Sequence, residues 1–169
     1  SMEAKVSRNS GKAIETALSK TYQEVKQIEL DKNVVPNLLA FNPDVIFPAL
    51  HGPPGEDGTV QGLLDLLQIP YTHSGVRASA CAIDKAASRT LFTHIGLRVP
   101  IGLVLSFDEA VSAFAPPFVL KPVSEGSSVG VHIVQAGDNR SLPAKWPFGE
   151  AVLVEEYVPG RELTCAVLD

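Results

Sequence analysis

Three elements follow one another in the stretch DVIFPALHGPPGEDGTVQGLLDLLQIPYT, residues 44–72. Residues 44–50 form a short apolar run with β-branched members, which is typical of a buried parallel strand. A loop rich in glycine and proline follows at 51–58. Apolar residues then recur at the spacing of one helix face: Val60, Leu63, Leu64 and Leu67. Strand, loop and helix in this order predict an α/β layer with a parallel sheet.

The segments on either side extend this prediction. Upstream, Ser10 is a plausible N-cap for an amphipathic helix, Ile28 and Leu30 suggest a short strand, and 34–40 suggests a helical turn. Downstream, the pattern predicts one helix over 78–95 and a capping box that opens another helix at Ser106. Strand signals then dominate, at 118–120, 129–134, 152–154 and 163–168. Strands after helices predict a second, α+β unit, with a soft boundary near 77–84.

Composition excludes several classes of protein. The chain has 169 residues, 45% of them hydrophobic, and a net charge of −5, which is a globular mix. It has no basic run that would follow a phosphate backbone, so nucleic-acid binding is disfavoured. No apolar run approaches the roughly 20 residues of a spanning helix, so membrane insertion is disfavoured too. The widely separated Cys81 and Cys165 favour two reduced thiols in a cytosolic protein.

The loop after Lys121 has the residues of a phosphate cover. Lys121 ends a predicted strand, small residues follow at 124–130, and a second strand begins. Glycines at 126 and 130 allow close backbone approach, and loop N–H groups can face an anion. No Gly-Lys-Ser/Thr follows the glycines, so this is not a Walker loop. Taken alone, an ordinary hairpin with a solvated lysine remains open.

Four further residues, Lys85, Glu155, Glu156 and His51, each have a possible chemical role and a plainer alternative. Lys85 could clamp a polyphosphate together with Lys121, although alone it is better explained as a surface lysine. Glu155 and Glu156 end an apolar strand, where a carboxylate and backbone groups can hydrogen-bond to the edge of an adenine. The segment alone is better explained as an exposed acidic strand end. His51 lies beyond a predicted strand's carboxyl end, where ligands bind open parallel sheets, or is a structural histidine. Glu56 is expected to cap the helix after the 51–58 loop.

These segments, in this order, resemble the D-alanine–D-alanine ligase family. The resemblance covers essentially the whole chain, and it is carried by residues 49–52, 55–62, 70–76, 84–85, 121–122, 125–130, 154–157 and 160–164. It implies an ATP-grasp architecture: an N-terminal parallel-sheet α/β domain over residues 1–80, on the substrate side, and an α+β central ATP-grasp subdomain over 81–169. Both ends of the sequence suggest an excerpt. The family's first strand would precede Ser1, and the rest of the ATP-grasp region would follow Asp169.

The resemblance also implies roles for individual residues. Glu3 matches the glutamate that binds the ammonium of the first D-alanine, Ser127 the loop serine in that network, and His51 the histidine beside the reacting carboxyl. The remaining matches are to the nucleotide site: Lys85, Lys121, Glu125, Gly126, Ser128, Glu155, Glu156, Val158 and Glu162. The two lysines match phosphate ligands, Glu155 and the backbone of Val158 adenine contacts, and Glu162 the ribose ligand.

The activity implied by the resemblance is ATP-dependent ligation of two D-alanines for peptidoglycan synthesis, through an acyl phosphate. The implied cofactors are ATP and Mg²⁺, with metal ligands expected outside this chain; the implied setting is a cytoplasmic, bacterial enzyme, often a homodimer. Three alternatives stay open: a D-alanine–D-lactate ligase, another ATP-grasp carboxylate–amine ligase, and a truncated nucleotide-binding module without catalysis.

Overall fold

The computed structural model describes residues 3–137 and 142–165, and the chain divides into two compact units, residues 1–88 and 89–169. The first unit contains four helices, α1 (Ala4–Leu18), α2 (Val34–Phe41), α3 (Thr59–Leu66) and α4 (Val76–Ile83). Helix α5 (Lys85–His94) crosses the boundary between the units. The second unit continues as β1 (Gly102–Ser106), α6 (Phe107–Ala113), β2 (Phe118–Pro122), β3 (His132–Val134) and β4 (Ala151–Glu156).

The predicted strand at 44–50 is reduced to a single parallel bridge. Ile46 pairs with Tyr71: the Ile46 N–H donates to Pro70 O, and the Thr72 N–H donates to Ile46 O. Continuing the ladder in either direction would require an N–H from Pro48 or from Pro70, and proline has none. The pairing is therefore parallel, as predicted, but two prolines confine it to one residue. The strand predicted around residues 28–30 is also not formed.

Two helix predictions in the first unit need correction. Helix α1 begins at Ala4, with the Ser7 N–H donating to Glu3 O, so Ser10 lies inside the helix and does not cap it. The single helix predicted over 78–95 is two helices, because Asp84 adopts an extended conformation (ψ 106°). The Asp84 carboxylate accepts the N–H groups of residues 86 and 87 at 2.8 and 2.9 Å. Asp84 thus ends one helix and caps the next.

The second unit is built on a four-stranded antiparallel sheet in the order β1-β4-β2-β3. Side chains alternate across its faces. One face holds a core that α6 helps to cover, formed by Ala110, Phe118, Leu120, Trp146, Val152 and Val154. The indole of Trp146 stacks on Phe107 at 5.3 Å between ring centroids. The other face carries Lys121, Leu153 and Glu155.

The start of α6 confirms the capping box predicted at Ser106 and Glu109. The Ser106 N–H and hydroxyl donate to Glu109 Oε2 at 3.1 and 2.5 Å. These hydrogen bonds, first the one from the side chain and then the one from the backbone, hold the pKa of the Glu109 carboxyl below its ordinary value. The negative charge lies in the first helical turn, where the helix dipole favours it.

The strand predictions at 118–120 and 152–154 are confirmed, the one at 129–134 is shortened, and β1 was not predicted. Strand β3 begins only at His132, because the preceding turn extends to Val131, whose N–H donates to Ser128 O. For the predicted strand at 163–168, residues 163–165 are not in a strand, and 166–169 lie outside the described residues. Among the described residues, no helix is long and apolar enough to cross a membrane.

Candidate functional site

In the first unit, the functional side chains converge where α1 meets the loop after Ala49. Glu3, Ser7 and Ser10 are spaced by four and three residues, which places them on one side of the helix. The Ser10 hydroxyl is 3.0 Å from His51 Nε2, and the His51 N–H donates to the Ser7 hydroxyl at 3.0 Å. The Ser7 hydroxyl in turn donates to Glu3 O at 3.2 Å. His51 is therefore held at both its ring and its backbone by α1.

The Glu3 carboxylate packs against Gly52, the residue after His51. Glu3 is 7% exposed, and a Cβ on Gly52 would lie 3.5 Å from Glu3 Cδ. Gly52 has a φ of +66°, a conformation that favours glycine. The structure thus brings together Glu3 and His51, the two predicted substrate-side residues of this unit. A buried carboxylate against the loop that carries the imidazole can hold an ammonium, and the imidazole can orient a carboxylate.

The loop itself is fixed from within. Glu56 Oε2 accepts the Gly52 N–H at 2.6 Å, and the Gln61 side chain donates to Gly55 O at 2.9 Å. The expectation that Glu56 caps the next helix is wrong, because its carboxylate turns back into the loop. The Thr59 N–H, in the first turn of α3, is instead accepted by Asp57 Oδ1. Side-chain hydrogen bonds to the backbone therefore hold the loop that carries His51 in this conformation.

In the second unit, the Glu155 carboxylate joins two cations on the face of the sheet opposite the core. Glu155 Oε1 accepts from Arg89 Nη1, and Glu155 Oε2 pairs with Lys121 Nζ. The Glu155 side chain is 5% exposed, against 18% for Arg89 and 25% for Lys121. With one carboxylate and two cations, the cluster carries a net charge of +1. A partly buried positive charge is suited to a polyphosphate.

The loop between β2 and β3 starts at residue 123, two residues after Lys121. Ser127 and Ser128 have φ of 48° and 59°, and Gly130 has 70°. Consecutive non-glycine residues in the left-handed region are uncommon and cluster at ligand-binding sites. Both serines are exposed, while Glu125 and Gly126 are partly buried. A Cβ on Gly130 would collide with the ring of Phe148, so this position needs glycine.

The other predicted nucleotide residues occupy the end of β4 and the start of α5. Glu156 Oε1 accepts the Ile101 N–H at 2.8 Å, which ties β4 to the entry of β1. Val158 is 61% exposed, and Glu162 is exposed in the segment after β4. Lys85 is partly buried at the first position of α5, in the first unit.

Sequence reasoning missed Arg89. The available signal was its position four residues after Lys85 on the predicted helix, which places both cations on one helix face. Nothing in the sequence pairs a helical arginine with a glutamate 66 residues later.

Two family sequence profiles match the chain. One, described as the D-ala D-ala ligase N-terminus, matches residues 35–74, and the other, described as the D-ala D-ala ligase C-terminus, matches residues 104–169. Together they cover more than half of the chain. A D-alanine–D-alanine ligase of Granulibacter bethesdensis is 50% identical over all of this chain, and one of Gluconobacter oxydans is 48% identical over 99% of it. The chain spans 57% and 58% of the length of these two relatives.

Solved structures agree with these matches. A crystal structure of a D-alanine–D-alanine ligase from Bacillus anthracis superposes with a TM-score of 0.76 at 33% identity, covering 95% of this chain and 55% of that one. A second structure of the Bacillus anthracis enzyme, complexed with ATP, superposes with a TM-score of 0.70 at 30% identity, over 95% of this chain and 56% of that one. The chain belongs to the D-alanine–D-alanine ligase family. The predicted fold class, an α/β unit followed by an α+β ATP-grasp unit, is confirmed.

Proposed function

We propose that the full-length protein joins two D-alanines in an ATP-dependent reaction that forms ADP and phosphate. The observation that carries the proposal is the identity of about half of all residues to named D-alanine–D-alanine ligases along the whole chain. The net-positive Lys121–Glu155–Arg89 cluster beside the serine-glycine loop supports the ATP half of the reaction. The buried Glu3 next to His51 supports the amino-acid half.

The proposed first step is attack of a D-alanine carboxylate on the γ-phosphorus of ATP. One P–O bond forms, the bond to the β-phosphate oxygen breaks, and ADP leaves an acyl phosphate. Two anions must approach each other, so cations have to offset their repulsion. Lys121 and Lys85 are the proposed phosphate ligands. Glu3 is proposed to hold the ammonium of this D-alanine, and His51 to orient its carboxylate.

The proposed second step is attack of the other D-alanine's amine on the acyl carbon, which expels phosphate and leaves the dipeptide. Water would compete for the acyl phosphate, so the site must exclude it. The loop over 125–130 is proposed to cover the phosphates, with Glu125, Gly126 and Ser128 as nucleotide contacts and Ser127 in the substrate network.

The nucleoside is proposed to bind at the end of β4. Glu155 and the Val158 backbone would contact adenine, Glu162 the ribose hydroxyls, and Glu156 the same edge of the site. Each Glu155 oxygen already takes one ion-pair partner and retains a lone pair that can accept from an exocyclic amine.

Mg²⁺ belongs to the proposal through the ATP requirement: when bound, it would neutralise phosphate charge. The described residues do not bring together three His, Cys, Asp or Glu side chains that could hold a metal. The metal ligands are proposed to lie outside this chain, and no step above passes through the metal. A cytoplasmic location and a homodimer complete the proposal.

The proposal is tested by measuring how much phosphate the full-length source protein releases from ATP in the presence of Mg²⁺. Release that requires D-alanine, and that L-alanine does not replace, is the expected result. Additional release with D-lactate at neutral pH would favour the D-alanine–D-lactate alternative. ATP binding without release under any of these conditions would replace the proposal with the non-catalytic nucleotide-binding module.

A further inference from the structure

We propose that Arg89 is a positioning residue that keeps Lys121 available to the nucleotide by sharing the charge of Glu155. The inference rests on the proposed function, since it concerns the same ATP site. The roles proposed above for Glu155 and Lys121 do not explain why this buried carboxylate pairs with a lysine that is proposed to bind phosphate.

Arg89 is held in place by two hydrogen bonds. Its guanidinium has two anchors: Nη1 donates to Glu155 Oε1, and Nη2 donates to Pro100 O at 2.7 Å. An arginine fixed at both ends of its planar fork has little freedom to leave. Because Glu155 is 4% exposed, little water reaches the carboxylate to replace this partner. Arg89 therefore holds Glu155 in one orientation.

The contact between Arg89 and Glu155 needs space, which Gly102 leaves open. Gly102 on β1 lies directly opposite Glu155 on β4. A Cβ on Gly102 would lie 2.8 Å from Glu155 Cγ and 3.2 Å from Arg89 Nη2. The absence of a side chain at this position of the edge strand is what lets the guanidinium reach the carboxylate.

Arg89 also sets the net charge around Lys121. Without Arg89, Glu155 and Lys121 would form a neutral pair, and the carboxylate would compete with a phosphate for the ammonium. With Arg89, the carboxylate is divided between two cations and the cluster keeps a charge of +1. Electrostatic attraction in a site shielded from water is strong, so this residual charge matters for binding an anion. Arg89 acts through Glu155 and needs no contact with ATP.

The test measures ATP affinity of the full-length protein by calorimetry for Arg89→Met, Arg89→Gln and Arg89→Lys. Arg98→Gln is the matched control, because Arg98 is exposed. We expect the Met and Gln variants to raise the ATP Kd about tenfold or more, and the Lys variant to recover most of the affinity because it restores the charge. The D-alanine KM and the control should change by less than about twofold. The Gln variant keeps an amide donor and carries the test if the Met variant does not fold.

A double-mutant cycle separates positioning from a merely structural role. In a Glu155→Gln background there is no carboxylate charge left to share, so Arg89→Gln should weaken ATP binding much less than it does in the wild type. Unchanged ATP affinity in a folded Arg89→Gln variant, equal loss in both backgrounds, or a Lys variant as weak as the Gln variant would each overturn the inference. If the wild type binds ATP but forms no dipeptide, the proposed function fails while this comparison still stands.

Discussion

Replacing Glu155 with alanine tests whether the buried ion-pair cluster organises the second unit. The change leaves Arg89 and Lys121 facing each other without their common acceptor. Breaking a buried pair by removing one partner costs about 3–5 kcal/mol. The two cations keep 18% and 25% of their side-chain surface exposed, so water can partly solvate them. We therefore expect a loss at the lower end, about 3 kcal/mol of the free energy of unfolding.

The assay is urea unfolding followed by the fluorescence of Trp146, the single tryptophan, which is 5% exposed in the core of the second unit. Glu150→Ala, a loss of the same charge at an exposed position just before β4, is the control and should change stability by less than about 0.5 kcal/mol. A loss below about 1 kcal/mol for Glu155→Ala would refute the reasoning, because surface pairs alone give values that small.

Three further predictions concern single positions. Glu109→Gln should lower the free energy of unfolding near neutral pH. Because the pKa of Glu109 is lowered in the folded state, its stabilisation is present above the ordinary pKa of glutamate and is lost as the pH falls through the folded-state pKa. Unfolding curves of the wild type and the variant should therefore converge in acid. Gly130→Ala should cost at least about 1 kcal/mol in the Trp146 assay, because φ is +70° and the added Cβ meets Phe148; equal stability would count against this loop geometry. Lys121→Ala in the full-length protein should weaken ATP binding with little change in the D-alanine KM, and unchanged nucleotide affinity would remove Lys121 from the phosphate site.

Part of the second unit was predictable because its signals are local, although β1 was not predicted and residues 163–165 of a predicted strand are not in a strand. The capping box at Ser106 needs only residues three apart, and the apolar runs that became β2 and β4 are uninterrupted. The pairing of those strands was not predictable. In the sheet, β4 lies between β1 and β2, an arrangement fixed by contacts between segments far apart in the chain.

The departures in the first unit have local causes that the sequence does contain. Pro48 and Pro70 stop a parallel ladder on both sides of one bridge, which becomes evident only when the register of Ile46 with Tyr71 is known. The break at Asp84 was hidden by apolar periodicity on both sides of it, although aspartate readily caps a helix.

The residues of the candidate site likewise include some that the sequence predicts and one that it does not. Motifs identified Lys121, Glu155, Glu3 and His51 because each lies in a contiguous, distinctive segment. Arg89 was missed because its partner lies on another element, and a lone arginine on a helix has no local signature. The adenine contact of Glu155 stays a prediction, and the structure shows its carboxylate joining two cations.

The central claim is that a D-alanine carboxylate is phosphorylated by ATP before the peptide bond forms. Full-length protein supplied with ATP, Mg²⁺ and D-alanine labelled with ¹⁸O in both carboxylate oxygens tests this most directly, with mass spectrometry of the dipeptide and of the phosphate. The account predicts D-alanyl-D-alanine and an equal amount of phosphate carrying one ¹⁸O atom, since the acyl-phosphate oxygen leaves with phosphorus. Unlabelled phosphate, or labelled phosphate with no dipeptide, would contradict it.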